Sequence, residues 1–390
     1  MIELKRNQDC CGCTACVSIC PQHCITMQED GEGFLYPVTS LETCTRCNAC
    51  NKVCPVTLKD CRFEVKASSQ KVYSAKVKAY AARIENKEIL LASSSGGVFT
   101  AVASRVIIEG GVVYGAAWVN GEVRHIAVEM TSDLSRLRGS KYVQSSLDGS
   151  FCEVRDNLRN GRKVLFTGTP CQIAGLRTFL RKENDNLLTV EVACHGAPSP
   201  KVLRYYMQEL QQQYGDDVQL NFRSKRNGWL KYKVTAYSGS KYYFYEGQKE
   251  NIFMRGFLHE LYSRPICYEC PFKGGISGAD ITLADFWGIE EVLPDFPAYD
   301  GASLVLTHTA KGENIFKSLS DLRVDEVLLQ QAIKYNGSLV YSEKRHPERR
   351  YFFKRLDGMS YSSLVESCLA LRPITRLKLR IKAYLQKIGI

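Results

Sequence analysis

A chain of 390 residues with 45% hydrophobic side chains is long enough for two or three domains and can bury a core. Its formal net charge of +11 raises nucleic acid as a partner, yet none is expected, because no helix-turn-helix, RNA-binding or zinc-finger signature accompanies the charge. The opening MIELKRNQDC lacks the apolar stretch of a secretion signal, and no uninterrupted apolar run approaches a membrane span. A cytoplasmic protein is expected, in which seventeen cysteines serve metal rather than disulfides.

Eight of those cysteines fall in the first 54 residues, in one pattern written twice: Cys10-x2-Cys13-x2-Cys16-x3-Cys20-Pro21, then Cys44-x2-Cys47-x2-Cys50-x3-Cys54-Pro55. Three cysteines at two-residue intervals in a tight loop aim their thiolates at three corners of a cubane, and the fourth corner needs a distant residue. In the bacterial two-cluster arrangement, the cysteine before proline serves the other cluster. Cys10, Cys13, Cys16 and Cys54 are thus expected to hold one [4Fe-4S] cluster, and Cys44, Cys47, Cys50 and Cys20 the second. Zinc, which C-x2-C pairs also suit, uses two-plus-two pairing and no third cysteine at the same interval. Residues 1–62 are expected to be an α+β, ferredoxin-like two-cluster module.

From residue 63 to 75 the chain is polar and weakly periodic, and reads as a linker. An α/β domain is expected over 76–343, in an N-terminal part, 76–155, and a C-terminal part, 156–343. Strand-like and helical runs alternate there: KAYAARI, the helix VFTAVASRVIIEG, GVVYGAAWV, VLFTG and its helix QIAGLRTFL, LLTVEVA, and the helix KVLRYYMQELQQQ. Such alternation implies a mixed or parallel sheet covered by helices. The aromatic and β-branched runs VQLNFRS, WLKYKVTAYSG and SKYYFYEG predict an antiparallel β insertion, after which NIFMRGFLHELY is helical and ADITLADFWG and ASLVLTHT return as strands. Residues 344–390 read as a basic helical tail; docking on its own domain is favoured over contact with an anionic membrane surface.

Cys171 and Cys194 each follow an apolar strand and precede a helix, at the carboxyl edge of the sheet where open α/β folds bind ligands. With Cys267 and Cys270, which repeat the C-x2-C-P spelling, they are read as ligands of a third [4Fe-4S] cluster, with zinc as the alternative. Three clusters at about −2 each would lower the net charge to about +5. Cys11, Cys24, Cys61, Cys152 and Cys368 have no spacing logic and are assigned no role. Ser93 to Ser95 are expected to cap the helix that follows, whose Val98, Val102 and Val106 share a face. Gly96 and Gly97 would let backbone approach a phosphate.

The segments SSSGGVFTA, GSKYVQS, TGTPCQIAGLR, ACHGAPSP, FRSKRNGW, CYECPFK and ADITLADFWG, in this order behind the two-cluster module, resemble the beta subunit family of the coenzyme F420 hydrogenases and dehydrogenases. The likeness covers residues 1 to 310. It implies FAD bound by the α/β domain, contacted by Ser94, Ser95, Gly96 and Gly97, by Gly139, Ser140, Lys141 and Tyr142, by Thr167, Gly168, Thr169 and Pro170, and by Asp285, Trp287 and Gly288. His195 and Lys141 are the candidate catalytic residues. The expected activity is an iron–sulfur flavoprotein oxidoreductase between a ferredoxin-like or other redox protein donor and a small-molecule hydride acceptor. The alternative is an electron-transfer subunit docked to a partner enzyme, with no small substrate of its own.

Overall fold

The computed structural model describes residues 2–62, 73–74 and 76–370. Most of the expected linker and the end of the expected tail, 371–390, lie outside the described residues. Strands β1 (Ile25–Glu29) and β2 (Leu35–Thr39) pair antiparallel between the two cysteine loops. Those loops share a backbone as well as a spelling. Gly12 (φ 73°) and Thr14 (φ 60°) in the first, and Arg46 (φ 56°) and Asn48 (φ 60°) in the second, are left-handed at equal offsets from the leading cysteine. A side chain in that conformation costs roughly 1–2 kcal/mol, which Gly12 avoids and Arg46 bears.

The remaining strands are β3 (Lys78–Ile84), β4 (Val112–Val119), β5 (Glu122–Val128), β6 (Val164–Gly168), β7 (Leu187–Val192), β8 (Gln219–Ser224), β9 (Lys233–Ser238), β10 (Lys241–Gly247), β11 (Ile281–Asp285), β12 (Ser303–Thr307) and β13 (Leu322–Val327). Eight of them form one mixed sheet in the order β13-β3-β12-β11-β7-β6-β4-β5. Its centre, β11-β7-β6-β4, is parallel and its two margins are antiparallel. VLFTG is buried along its whole length, as a parallel strand between helical layers must be. Alternate residues go to opposite faces: Val113 and Leu165 join the core under helix α1 (Val98–Ile108), with Val98, Val102 and Val106. Tyr114 and Phe166 join the core with helices α2 (Ser150–Arg159) and α3 (Pro170–Leu180), through Phe151 and Phe179.

The predicted insertion is a separate antiparallel sheet, β10-β9-β8. It packs Phe222 and Val234 on helices α4 (Pro200–Tyr214) and α5 (Ile252–Leu258). Two further helices, α6 (Arg349–Arg355) and α7 (Tyr361–Leu369), complete the same core with Phe352, Leu356, Leu364 and Val365. Within the expected tail, residues 349–355 and 361–369 are helical and packed into a core of the domain before them. The basic residues around them masked apolar positions that tertiary packing uses. Among the described residues no helix is long and apolar enough to cross a membrane.

Candidate iron–sulfur and cofactor site

Two hollows in the N-terminal module are ringed by the crossed cysteine sets. Cys10, Cys13, Cys16 and Cys54, with Cys11, line one, together with Ile2, Leu4, Met27, Pro37 and Val56. Cys20, Cys44, Cys47 and Cys50, with Cys24, line the other. Backbone amides point at the sulfurs: Gly12 N–H donates to Cys10 Sγ at 3.3 Å, and Ala15, Val17 and Arg46 donate to Cys13, Cys16 and Cys44. Such donors favour thiolate over thiol and are part of what sets a cluster's potential. Among the described residues, no three His, Cys, Asp or Glu side chains close on a point that one metal ion would occupy. The thiols stand around a space instead, so the chemistry of the donor set fits a cubane.

The third set is also brought together. Cys194 lies within Coulomb range of Cys171 and Cys270, and Cys267 of all three. Burial pushes the Cys194 thiol up to about 12 and the Cys267 thiol well above its ordinary range. Cys11 and Cys24, left without a role by their spacing, both sit at these sites. Cys11 is 4% exposed and contacts both Cys13 and Cys171, so it stands between the first hollow and the third set. Cys24 Sγ is 3.3 Å from Cys20 Sγ.

Because β4, β6, β7 and β11 run parallel, the segments leaving their carboxyl ends share one edge, which carries Thr167–Pro170, Cys171, Cys194 and Asp285. Thr169 caps α3 in a capping box with Gln172, and Pro170 occupies the first turn, where its missing N–H costs nothing. Thr169 Oγ1 lies 3.2 Å from Cys171 Sγ.

Ser94 Oγ accepts from the Ser140 N–H (2.8 Å) and hydroxyl (3.0 Å), joining two of the loops expected to share a ligand. Ser95 and Gly96 are engaged elsewhere: the Ser95 hydroxyl donates to the Ala302 carbonyl and the Gly96 N–H to Ser303 Oγ. A Cβ on Gly96 would stand 2.3 Å from the Ala82 carbonyl oxygen, and one on Gly97 2.6 Å from Ile84. Packing on β3 and β12 thus accounts for both glycines. The expected serine cap is also corrected. Gly97 is the N-cap of α1, and the Ser93 hydroxyl donates back to the Ile89 carbonyl, ending the helix before it. Gly139 (φ 81°) differs, since the space its Cβ would take is open.

Lys141 is not a solvated lysine. Its Nζ donates to the carbonyls of Arg136 (3.3 Å), Leu137 (3.1 Å) and Arg138 (2.7 Å), and burial brings it down to about 7. His195 sets its ring edge on Phe257, with Nε2 2.7 Å from Glu260 Oε1. That approach has the distance but not the alignment of a hydrogen bond, and both atoms are buried without a partner. Trp287 stacks on Trp229 at 5.2 Å, and a Cβ on Gly288 would strike Tyr335.

The organising residue of this crevice is Arg223, which had no assigned role although it lies in FRSKRNGW. Only 5% exposed, it donates to both Asp285 oxygens (2.8 and 3.0 Å), the Ser94 carbonyl (3.2 Å) and Tyr142 Oη (3.3 Å). Its Nε is buried without a partner. Lys225, two residues on, donates to the carbonyls of Leu90 (2.9 Å), Asp300 (2.8 Å) and Ser95.

Comparison with known proteins follows this division. Residues 9–58 match a 4Fe-4S dicluster domain, and residues 161–327 match the carboxy-terminal region of the coenzyme F420 hydrogenase/dehydrogenase beta subunit. No curated protein matches. Among solved structures, a chain of the F420-reducing [NiFe] hydrogenase complex from Methanosarcina barkeri is similar at 20% identity and a TM-score of 0.46, over 66% of this chain and 84% of that one. The two matches stand in series: a 4Fe-4S dicluster domain in front, and behind it a region similar to the carboxy-terminal part of the coenzyme F420 hydrogenase/dehydrogenase beta subunit.

Proposed function

We propose that the chain is an iron–sulfur flavoprotein oxidoreductase, passing electrons between a ferredoxin-type donor and an organic hydride acceptor through three [4Fe-4S] clusters and FAD. The observation that carries the reading is the grouping of twelve cysteines into three sets of four, two around hollows and the third at the carboxyl edge of the parallel strands. In this reading Cys10, Cys13, Cys16 and Cys54 hold cluster 1, Cys20, Cys44, Cys47 and Cys50 cluster 2, and Cys171, Cys194, Cys267 and Cys270 cluster 3. At the third set the C-x2-C-P spelling of Cys267 and Cys270, repeated from the two N-terminal sets, favours a cubane over zinc.

The crevice fits FAD in part. Its supporting features are the open backbone at Gly139, the linked hydroxyls of Ser94 and Ser140, and the buried cation of Arg223 with one N–H uncommitted. The packed glycines 96, 97 and 288 contribute shape to the fold rather than room for a ligand. When bound, flavin supplies the conversion between single electrons and hydride. The protein's own part is to orient and to exclude water: Arg223 fixes Asp285 and Tyr142 at one wall, and the fully buried Trp229 backs Trp287 behind it.

Anaerobic purification with iron, sulfide and flavin measured against protein tests this. About twelve irons and one FAD are expected, the count for three cubanes and one flavin. Cys171→Ala should lose about a third of the iron and keep the signals of the other two clusters. Unchanged iron in that variant removes the third cluster from the reading, and flavin-free protein with full iron removes the flavin.

A further inference from the structure

Three arginines are buried among the described residues, and two of them have carboxylate partners. Arg349, 1% exposed, is held by both oxygens of Glu32, and Arg223 by both oxygens of Asp285. Arg264 is 1% exposed and, among the described residues, pairs with no carboxylate. Its Nε donates to the Cys10 carbonyl (2.6 Å), Nη1 to Gln144 Oε1 (2.9 Å) and Nη2 to the Leu35 carbonyl (2.8 Å). The guanidinium lies over Tyr36 at 4.5 Å and Phe34 at 5.4 Å from the ring centroids. Hydrogen bonds and ring faces satisfy its donors but do not neutralise its charge. Burying a cation without a counter-charge is among the costlier things a fold can do.

The surroundings are built to bring that charge close. A Cβ at Gly12 would stand 2.5 Å from Gln144 Nε2 and 2.9 Å from Arg264 Nη1, so the first cysteine loop leaves a residue bare where the guanidinium passes. Gln144, which accepts from Arg264, donates its amide to the Cys11 carbonyl at 3.1 Å. Arg264 also leads the segment that carries Cys267 and Cys270, and its backbone N–H donates to the Ala197 carbonyl, three residues past Cys194. One buried cation is thus wedged between the Cys10 loop and the loops of the third set.

We infer that Arg264 is the electrostatic partner of cluster 1, the buried positive charge that offsets the net negative charge of a cubane with four thiolates and holds its reduction potential up. The inference rests on the proposed reading that Cys10, Cys13, Cys16 and Cys54 bind that cluster. Reduction adds a negative charge near the guanidinium, so the cation favours the reduced form. Without the cluster the same cation is uncompensated, and the apoprotein carries the cost.

The test compares wild type with Arg264→Met, Arg264→Gln and Arg264→Lys by anaerobic redox titration of the cluster signals and by thermal unfolding of the loaded and the chelator-stripped protein. Arg264→Met and Arg264→Gln should move the cluster 1 potential to more negative values and leave cluster 2 unmoved. They should also narrow the gap in Tm between loaded and stripped protein. Arg264→Lys, which keeps the charge, should restore most of the potential. Variants that keep full iron with wild-type potentials, or that lower both melting temperatures equally, would leave Arg264 a structural tether and overturn the inference. Wild-type protein without a cluster 1 signal would instead overturn the ligand set on which it rests.

Discussion

His125 carries a constraint that its place in the sequence does not advertise. It is 8% exposed on β5, with Nε2 2.9 Å from the Thr167 carbonyl and Nδ1 3.0 Å from Ser145 Oγ. Ser145 Oγ accepts from the Gln172 amide (2.9 Å), and Gln172 Oε1 accepts from the Thr169 N–H (2.9 Å). This chain of bonds fixes the neutral tautomer with its proton on Nε2 and shapes the turn before Cys171. Burial takes the imidazole from 6.5 down to about 4. The unfolded chain therefore binds a proton in a range where the folded one does not, so stability is full above about 6.5 and falls as pH drops toward 4. The loss totals roughly 3 kcal/mol at most, since each tenfold difference in proton affinity is worth about 1.36 kcal/mol. Urea unfolding at pH 7 and 5.5 should show His125→Gln losing less stability over that interval than wild type; equal losses would mean that His125 is not the acid-sensitive group. This network was not legible in the sequence, because the partners of His125 come from β6, α3 and a loop, and nothing in EVRHIAV marks a histidine that closes it.

At the scale of elements, α3 does two jobs with one packing surface. It presents Cys171 at its first turn and lies against the N-terminal module, where a Cβ on Gly175 would meet Cys13 Cβ at 2.6 Å and Sγ at 2.8 Å. Gly175→Val should therefore push Cys13 off its position, with the loss of about four irons, one cubane, and a lower Tm from overpacking of roughly 1–3 kcal/mol. Full iron content in this variant would mean that the helix can withdraw without disturbing the ligand. The strands and principal helices were legible because their apolar periods are strong and their lengths ordinary, as in VLFTG and VFTAVASRVII. The cysteines that line each hollow were legible because the repeated spacing, with the cysteine before proline crossing over as in the bacterial two-cluster arrangement, sorts them into those two groups. The serine cap expected at Ser93–Ser95 was misread: Ser-Ser-Ser-Gly-Gly suits a cap or a loop equally, and only Ala302 and Ser303 decide where the polar groups of Ser95 and Gly96 go. In α6 the charges of RRYFFKR hid which apolar residue, Phe352, is buried.

Across the whole molecule, exposure separates the two cysteine sets of the N-terminal module. Cys47 is exposed and Cys44 half-buried at the second hollow, whereas Cys10, Cys13 and Cys16 are each 9% exposed or less, and Cys11 stands between that first set and Cys171. If the sets hold clusters as proposed, cluster 2 is the accessible entry, and Cys11 links cluster 1 onward to the third set at Cys171. A surface-exposed cluster is also the one that solvent reagents reach without unfolding, while release of a buried one requires an opening whose free energy can approach that of global unfolding. Anaerobic treatment with an iron chelator should then release iron in at least two phases: about four irons of one cubane first, the remainder slowly. The fast phase should coincide with loss of the cluster 2 signal. Mild denaturant should accelerate the slow phase far more than the fast one, because only the slow phase depends on opening the fold. Release of all iron in one phase, equally sensitive to denaturant throughout, would show that the clusters are held and lost as a unit, and the entry point would have to be sought somewhere other than the Cys47 face.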